Sequence, residues 1–224
     1  SEMTTVASAE VLGVSARQIA RLARVGDITV TRRVGGALLL DGASVHRLAK
    51  QGRHNGRPWA AATAWAALAL LSGDRVDWLD ASVMSRLRHR LRASSASELC
   101  WMTRRRATVR RMRGWGKDTG LLHSGGSALR DPVVSEQFDL TAANHGSDGY
   151  VRARNFASVT TALGLVVDVD GDMTVRVVPE DAGYAVDRVL TAAVAVDLAG
   201  SLDTRESAAG MRVLGDMLDD FRST

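Results

Sequence analysis

Along residues 5–28 apolar positions recur at helical spacing, break at one glycine, and then recur again. A first helix is expected to stop at Gly13, where a left-handed backbone costs little. Ser15 offers a hydroxyl to cap a second helix, whose Ile19, Leu22 and Ala23 share one face. Arg17, Gln18, Arg21 and Arg24 are left on the opposite face. Residues 28–33 then alternate in strand fashion, Val34, Gly35 and Gly36 turn, and residues 37–41 return. Residues 43–50 close the unit as a helix with Val45 and Leu48 facing in. A short helix, a tight turn, a second helix with a basic outer face and a two-stranded wing imply a unit that reads duplex DNA.

Beyond a polar, basic linker at residues 51–58, the pattern predicts an all-helical block. One helix covers residues 59–71, Asp80 or Ser82 caps a second reaching Arg92, and Ser95 or Ser97 caps a third extending to about Arg113. All five tryptophans fall in or beside this block, where their apolar area is expected to pack the helices together. The remainder reads as α+β. Residues 121–130 fit no single period, residues 150–154 predict a strand and residues 156–163 a helix. Residues 165–168 and 173–178 are expected to pair around Asp170 and Gly171, whereas residues 189–198 fit both strand and helix. A final helix runs through Met211, Leu214 and Leu218. The expected architecture is a multi-domain α+β chain: a winged helix-turn-helix at 3–50, a linker at 51–58, a basic helical region at 59–116 and an acidic α+β domain at 117–224.

Charge sharpens that division. Residues 1–117 hold 21 Lys+Arg against 8 Asp+Glu, a balance of +13, and residues 118–224 hold 8 against 17, a balance of −9. Polyanionic DNA suits the first half, because neutralised phosphates release counterions. The acidic half suits a basic protein, or attraction within the chain itself. One cysteine, Cys100, excludes an internal disulfide, and with no signal peptide a cytoplasmic location is expected. The longest apolar run, residues 59–71, falls short of the ~20 residues of a membrane-spanning helix, so no membrane partner is expected. Ser1 and Glu2 precede the first methionine and are given no role.

If the second helix enters a major groove, Arg17 is placed for guanine O6 and N7, and Gln18 for adenine N6 and N7. Arg21, one turn on, suits a base or a phosphate. Ser15 and the free amides of the helix start suit a phosphate. Arg32 and Arg33 at the wing suit backbone or an adjacent minor groove, and Gly35 and Gly36 give the tip room. Arg86, Arg88, Arg90 and Arg92 spread around their helix. Arg104, Arg105, Arg106, Arg110, Arg111 and Arg113 interleave with Leu99, Met102, Val109 and Met112. For these arginines three roles stay open: phosphate contact, pairing with acidic residues of the second half, or solvation.

Residues 5–50 resemble the excisionase/MerR-type winged helix-turn-helix, in which a turn such as Leu12-Gly13-Val14-Ser15 precedes the recognition helix and a Gly-Gly turn tips the wing. Neither the long C-terminal coiled coil nor the cysteine set of a metal-sensing activator is present in the sequence. The stretch from Val196-Asp197-Leu198 through Thr204-Arg205-Glu206 to Ala208-Ala209, with Tyr150-Val151-Arg152 and Val175-Arg176-Val177-Val178, resembles AbiEi-type antitoxins. That resemblance implies a regulator that represses its own operon as the antitoxin of a type IV-like toxin–antitoxin system and counteracts a nucleotidyltransferase toxin. The alternative is an excisionase-like architectural or recombination-directing DNA-binding protein, and a third class is a nucleic-acid-modifying enzyme anchored by the wing.

Catalytic constellations are weak. Asp168-Val169-Asp170-Gly171-Asp172 resembles the start of a calcium loop, but Pro179 stands where the bidentate glutamate belongs. Gly125-Gly126-Ser127 resembles the start of a nucleotidyltransferase site, yet no Asp-x-Asp pair follows at short range. The five histidines lack metal-ligand spacing, and Cys100 sits among apolar residues. No catalytic residue, cofactor or metal is expected.

Overall fold

The computed structural model describes residues 1–51, 56–115, 120–142 and 146–224. It is an α+β chain, with eleven α-helices and two sheets among the described residues. The first unit follows the expected order, with one addition. β1 (Glu2–Thr4) leads into α1 (Thr5–Leu12), α2 (Ala16–Arg24), β2 (Val30–Val34), β3 (Ala37–Asp41) and α3 (Gly42–Lys50). Thr4 caps α1 by accepting from the Ala7 amide, Gly13 ends it at φ 59°, and Ser15 caps α2 by accepting from the Gln18 amide at 3.2 Å. Gly35 and Gly36 both take positive φ, 53° and 85°, as a two-residue hairpin turn of right-handed twist requires. β1, given no role from sequence, pairs with β3 from Glu2↔Asp41 to Thr4↔Leu39 and covers the edge that β2 leaves open. Ile19, Leu22, Ile28, Leu40, Val45 and Leu48 fill a small core.

Residues 52–55 of the expected linker lie outside the described residues. After it come α4 (Ala61–Leu71), α5 (Ala81–Ala93) and α6 (Ala96–Thr103), the last entered through a capping box of Ser95 and Glu98. The third helix does not continue to Arg113, because α6 ends at Thr103 and residues 108–113 form strand β4 (Thr108–Arg113). Four more strands complete a five-stranded sheet: β5 (Leu122–His123), β6 (Ser147–Arg152), β7 (Val166–Val167) and β8 (Met173–Val178), in the order β5-β6-β8-β4-β7. The pairing expected between the two strands around Gly171 is not formed. β4 lies between β7 and β8, antiparallel to both, and β6 runs parallel to β8. The crossover from β6 passes through α9 (Ala153–Ala162), as a parallel pair demands.

Residues 121–130 divide into β5 and the single turn α7 (Gly125–Ala128), followed by α8 (Pro132–Phe138). Residues 191–198 resolve as helix: α10 (Thr191–Ala199) is buried from Ala192 onward and packs against α11 (Thr204–Ser223). Gly210 allows that approach, since a Cβ there would meet the Ala199 amide nitrogen at 2.4 Å. The main core draws on both sides of the expected boundary at residue 116. Trp65, Leu68 and Leu91 pack with Tyr150, Val178, Leu198 and Leu214. Trp65 stacks on Tyr184 at 4.2 Å and meets Tyr150 edge-on at 5.0 Å. The helical block and the acidic half therefore share one hydrophobic interior. Trp115 is the exception among the tryptophans, with 83% of its surface exposed.

Candidate nucleic-acid interface

The face of α2 turned from its core carries Arg17, Arg21 and Arg24, all exposed, with Gln18 half-buried beside them. None of the three arginines forms an ion pair with another described residue. Ser15 uses its oxygen as a cap and keeps its hydroxyl proton for another acceptor. Across the hairpin, Arg33 and Gly35 are exposed and the described chain offers Arg33 no carboxylate. Arg32 differs from its neighbour: its Nε and Nη2 donate to the Glu2 carboxylate at 3.0 and 2.8 Å, a pair set by the β1–β3–β2 order. The hydrogen bond from Arg32 holds the Glu2 carboxyl below its usual range, and the same bond raises the pKa of Arg32. This restraint is not visible in the sequence, because only the pairing of β1 with β3 brings Glu2 beside Arg32.

Behind α2, the loop to β2 is fastened to the body. Asp27, almost fully buried, faces both Arg104 at 3.4 Å and Arg105 at 2.7 Å. The Arg104 guanidinium lies 3.5 Å over the Trp101 ring, and Trp101 packs on the core of the first unit. Burial holds the Arg104 pKa below its ordinary value, against the pull of Asp27, whereas the bond to Asp27 raises that of Arg105. Lys50 donates to the Ser201 carbonyl at 2.9 Å. Of the roles left open for these arginines, pairing with acids of the second half holds for Arg106 with Asp197 and Arg113 with Asp168, whereas the acid facing Arg104 and Arg105 comes from the basic half of the chain.

Arg106 enters a buried polar cluster that no sequence spacing indicated. It donates to the Tyr150 hydroxyl at 2.8 Å, to the Thr103 carbonyl at 3.2 Å and to Asp197. Arg176 reaches Asp197 at 2.9 Å and also pairs with Asp148, and Ser124 donates to Asp197. Burial opposes the charge on Asp197, but the guanidiniums of Arg176 and Arg106 outweigh it and hold the carboxyl below its usual range. Burial pushes the Tyr150 hydroxyl well above its ordinary pKa, so it stays protonated. The cluster ties together β6, β8, α10 and the α6–β4 junction. Arg106 and its side-chain partners Tyr150 and Asp197, separated by 44 and 91 residues, could be matched only in three dimensions.

The remaining candidates have ordinary structural roles. Gly125 lets Asp148 approach, since a Cβ there would lie 2.6 Å from its Oδ2. Asp168 pairs with Arg113 at 2.6 Å and accepts from the Asp170 amide, as in a solvated turn. No three His, Cys, Asp or Glu side chains converge as metal ligands among the described residues, and no described helix is long and apolar enough to cross a membrane. His54 and His145 lie outside the described residues. No family model, curated protein or solved structure matches the chain.

Proposed function

We propose that the chain is a sequence-specific, double-stranded-DNA-binding repressor whose first 50 residues act as a winged helix-turn-helix. The observation that carries this reading is the outer face of α2, where Arg17, Arg21 and Arg24 face solvent without a carboxylate partner among the described residues. In the proposed complex α2 lies in a major groove, with Arg17 and Gln18 on base edges and Arg21 and the start of the helix on phosphates. Arg33 and the backbone at Gly35 follow the flanking strand, and Arg32 joins them once released from Glu2.

Fluorescence anisotropy with the chain's own upstream region and a scrambled duplex, at several salt concentrations, tests this reading. Preference for the upstream fragment by about three orders of magnitude or more is expected. Equal affinity for both duplexes removes the proposal of specific readout.

The antitoxin role is proposed on the AbiEi-type resemblance of the second half, with the acidic surface as the side offered to a nucleotidyltransferase toxin. Exposed Asp216, Asp219 and Asp220 on α11 belong to that surface. If the adjacent gene encodes a nucleotidyltransferase, relief of its toxicity on co-expression is the expected result. Failure to relieve it, with DNA binding intact, leaves a repressor outside a toxin–antitoxin pair. The excisionase-like alternative gains no support from the docking of the first unit onto a larger body through Asp27 and Trp101.

A further inference from the structure

Between the first unit and the body runs a cleft of about 700 Å³, within the range of sites that hold cofactor-sized molecules. One wall is α3, which presents Arg47, and the opposite wall is the sheet, which presents Arg111 and Arg176. The carboxylates deep in this cleft are already engaged. Asp148 and Asp197 are held by Arg176 and Arg106, and Asp41 accepts from the Ala43 and Ser44 amides as the cap of α3. Arg47 touches only that same capping oxygen of Asp41, at 3.5 Å. Arg111 donates to neutral acceptors, Thr174 Oγ1 at 2.7 Å and the Gly171 carbonyl. Asp27 is held by Arg104 and Arg105. Asp170, Asp172 and Asp203 stand exposed, where solvent screens them, and half-buried Glu206 accepts from the Ser201 hydroxyl.

We infer that this cleft is a binding site for a small polyanion, a phosphorylated or polycarboxylate metabolite, whose oxyanion groups bridge Arg47 of α3 and Arg111 of β4. Two guanidiniums on opposite walls offer forked donors matched to phosphate or carboxylate oxygens, and neither owns a carboxylate that fully balances it. The like charges also oppose each other. Burial and then the charge of Arg111 lower the Arg47 pKa against the pull of Asp41, and Arg176 is lowered chiefly by burial, with Arg106, Arg47 and Arg111 adding to it. A bound anion offsets the repulsion between these guanidiniums. Because its two contacts belong to the two sides of the cleft, it also fastens the first unit to the body.

Calorimetric titration of the full chain with pyrophosphate and, separately, with citrate tests the site in the absence of DNA, so its outcome is independent of the DNA-binding reading. Saturable binding with one site per chain is expected for at least one anion, and the preferred anion assigns phosphoryl or carboxylate chemistry. Arg47→Gln and Arg111→Gln should each weaken binding by about tenfold or more, as loss of a charge-assisted pair entails, with Arg47→Lys retaining part of the affinity. Arg88→Gln, on the exposed face of α5, serves as the control for unspecific attraction and should leave binding unchanged. The thermal midpoint of the unsubstituted chain should rise with pyrophosphate or citrate concentration. Absence of saturable binding for both anions overturns the inference. So does unchanged affinity in either Gln variant that melts as a folded protein.

Discussion

Arg105 holds the Asp27 carboxylate with two hydrogen bonds, 2.9 and 2.7 Å long, across 78 residues of sequence. Asp27 comes just after α2, so this bond fixes the far end of the helix proposed to enter DNA. Replacing Asp27 by Asn leaves Arg104 and Arg105 without their buried counter-charge. Removal of one partner of such a pair costs about 3 kcal/mol here, the lower end of the usual range because Arg105 is partly exposed. Urea denaturation of the variant against the parent measures it, and an unchanged midpoint would contradict the assigned role.

Arg17→Ala and Gln18→Ala are expected to weaken operator binding by about 1–3 kcal/mol each, with discrimination lost at particular base pairs. Arg33→Ala should weaken all sequences alike and reduce the salt slope by about one unit. Anisotropy on a set of single-base operator variants separates the two behaviours; uniform losses for all three substitutions would sink the assignment.

Glu2 acts in the opposite direction. Its carboxylate occupies Arg32, so Glu2→Ala should make that guanidinium available to a phosphate and steepen the salt dependence by about one unit. The pair is exposed, so stability should barely change. An unchanged salt slope would show that Arg32 stays off the DNA even when released.

Asp197 links the fold to pH. Its folded pKa lies below the unfolded value because Arg176 and Arg106 outweigh its burial. A depressed carboxyl contributes stability that is fully present above the unfolded value, near pH 4, and is lost as pH falls through the folded one. Stability should therefore decline below about pH 4 in the parent. Asp197→Asn should lose about 3–5 kcal/mol at pH 7, when two buried guanidiniums lose their shared partner, and show a shallower acid limb. Chemical denaturation from pH 3 to pH 7 reads both.

Cys100 supplies a probe of opening. Burial pushes its thiol up to about 12, so at pH 8 almost none is thiolate in the folded chain. A chromogenic disulfide reagent should react only through opening of the fold, slowly in buffer and promptly in urea. In the folded chain the thiol holds its proton more tightly than when unfolded, so its contribution to stability falls as pH rises beyond about 8.5. Rapid native labelling would mean that α6 is not packed as described.

Legibility followed the range of the interactions. The first unit was readable because its signals are local: a glycine ending α1, Ser15 capping α2, and a Gly-Gly turn joining β2 and β3. β4 was not, since Val109 and Met112 fit a helix as well as a strand and only pairing with β8 decides between them. The same limit hid the Arg106–Asp197–Arg176 cluster. Arginine runs look like solvated or DNA-facing surface until their carboxylates are found far away in the chain. On α2, the exposed positions agree with the periodicity; the Glu2 contact to Arg32 needed the strand that precedes α1.

The place of β4 has a practical corollary. Thr108–Arg113 is an interior strand of a sheet otherwise built from later residues, with β8 on one side and β7 on the other. Severing the polypeptide after residue 116 strips β8 of one row of backbone partners and bares an apolar margin. Each fragment alone should precipitate, whereas the two produced together should reassemble into a soluble, nicked whole. A cut before Trp59 spares the shared interior but still takes Arg104, Arg105 and Trp101 away from Asp27 and the core of the first unit, so a minimal reader of DNA would have to replace those contacts.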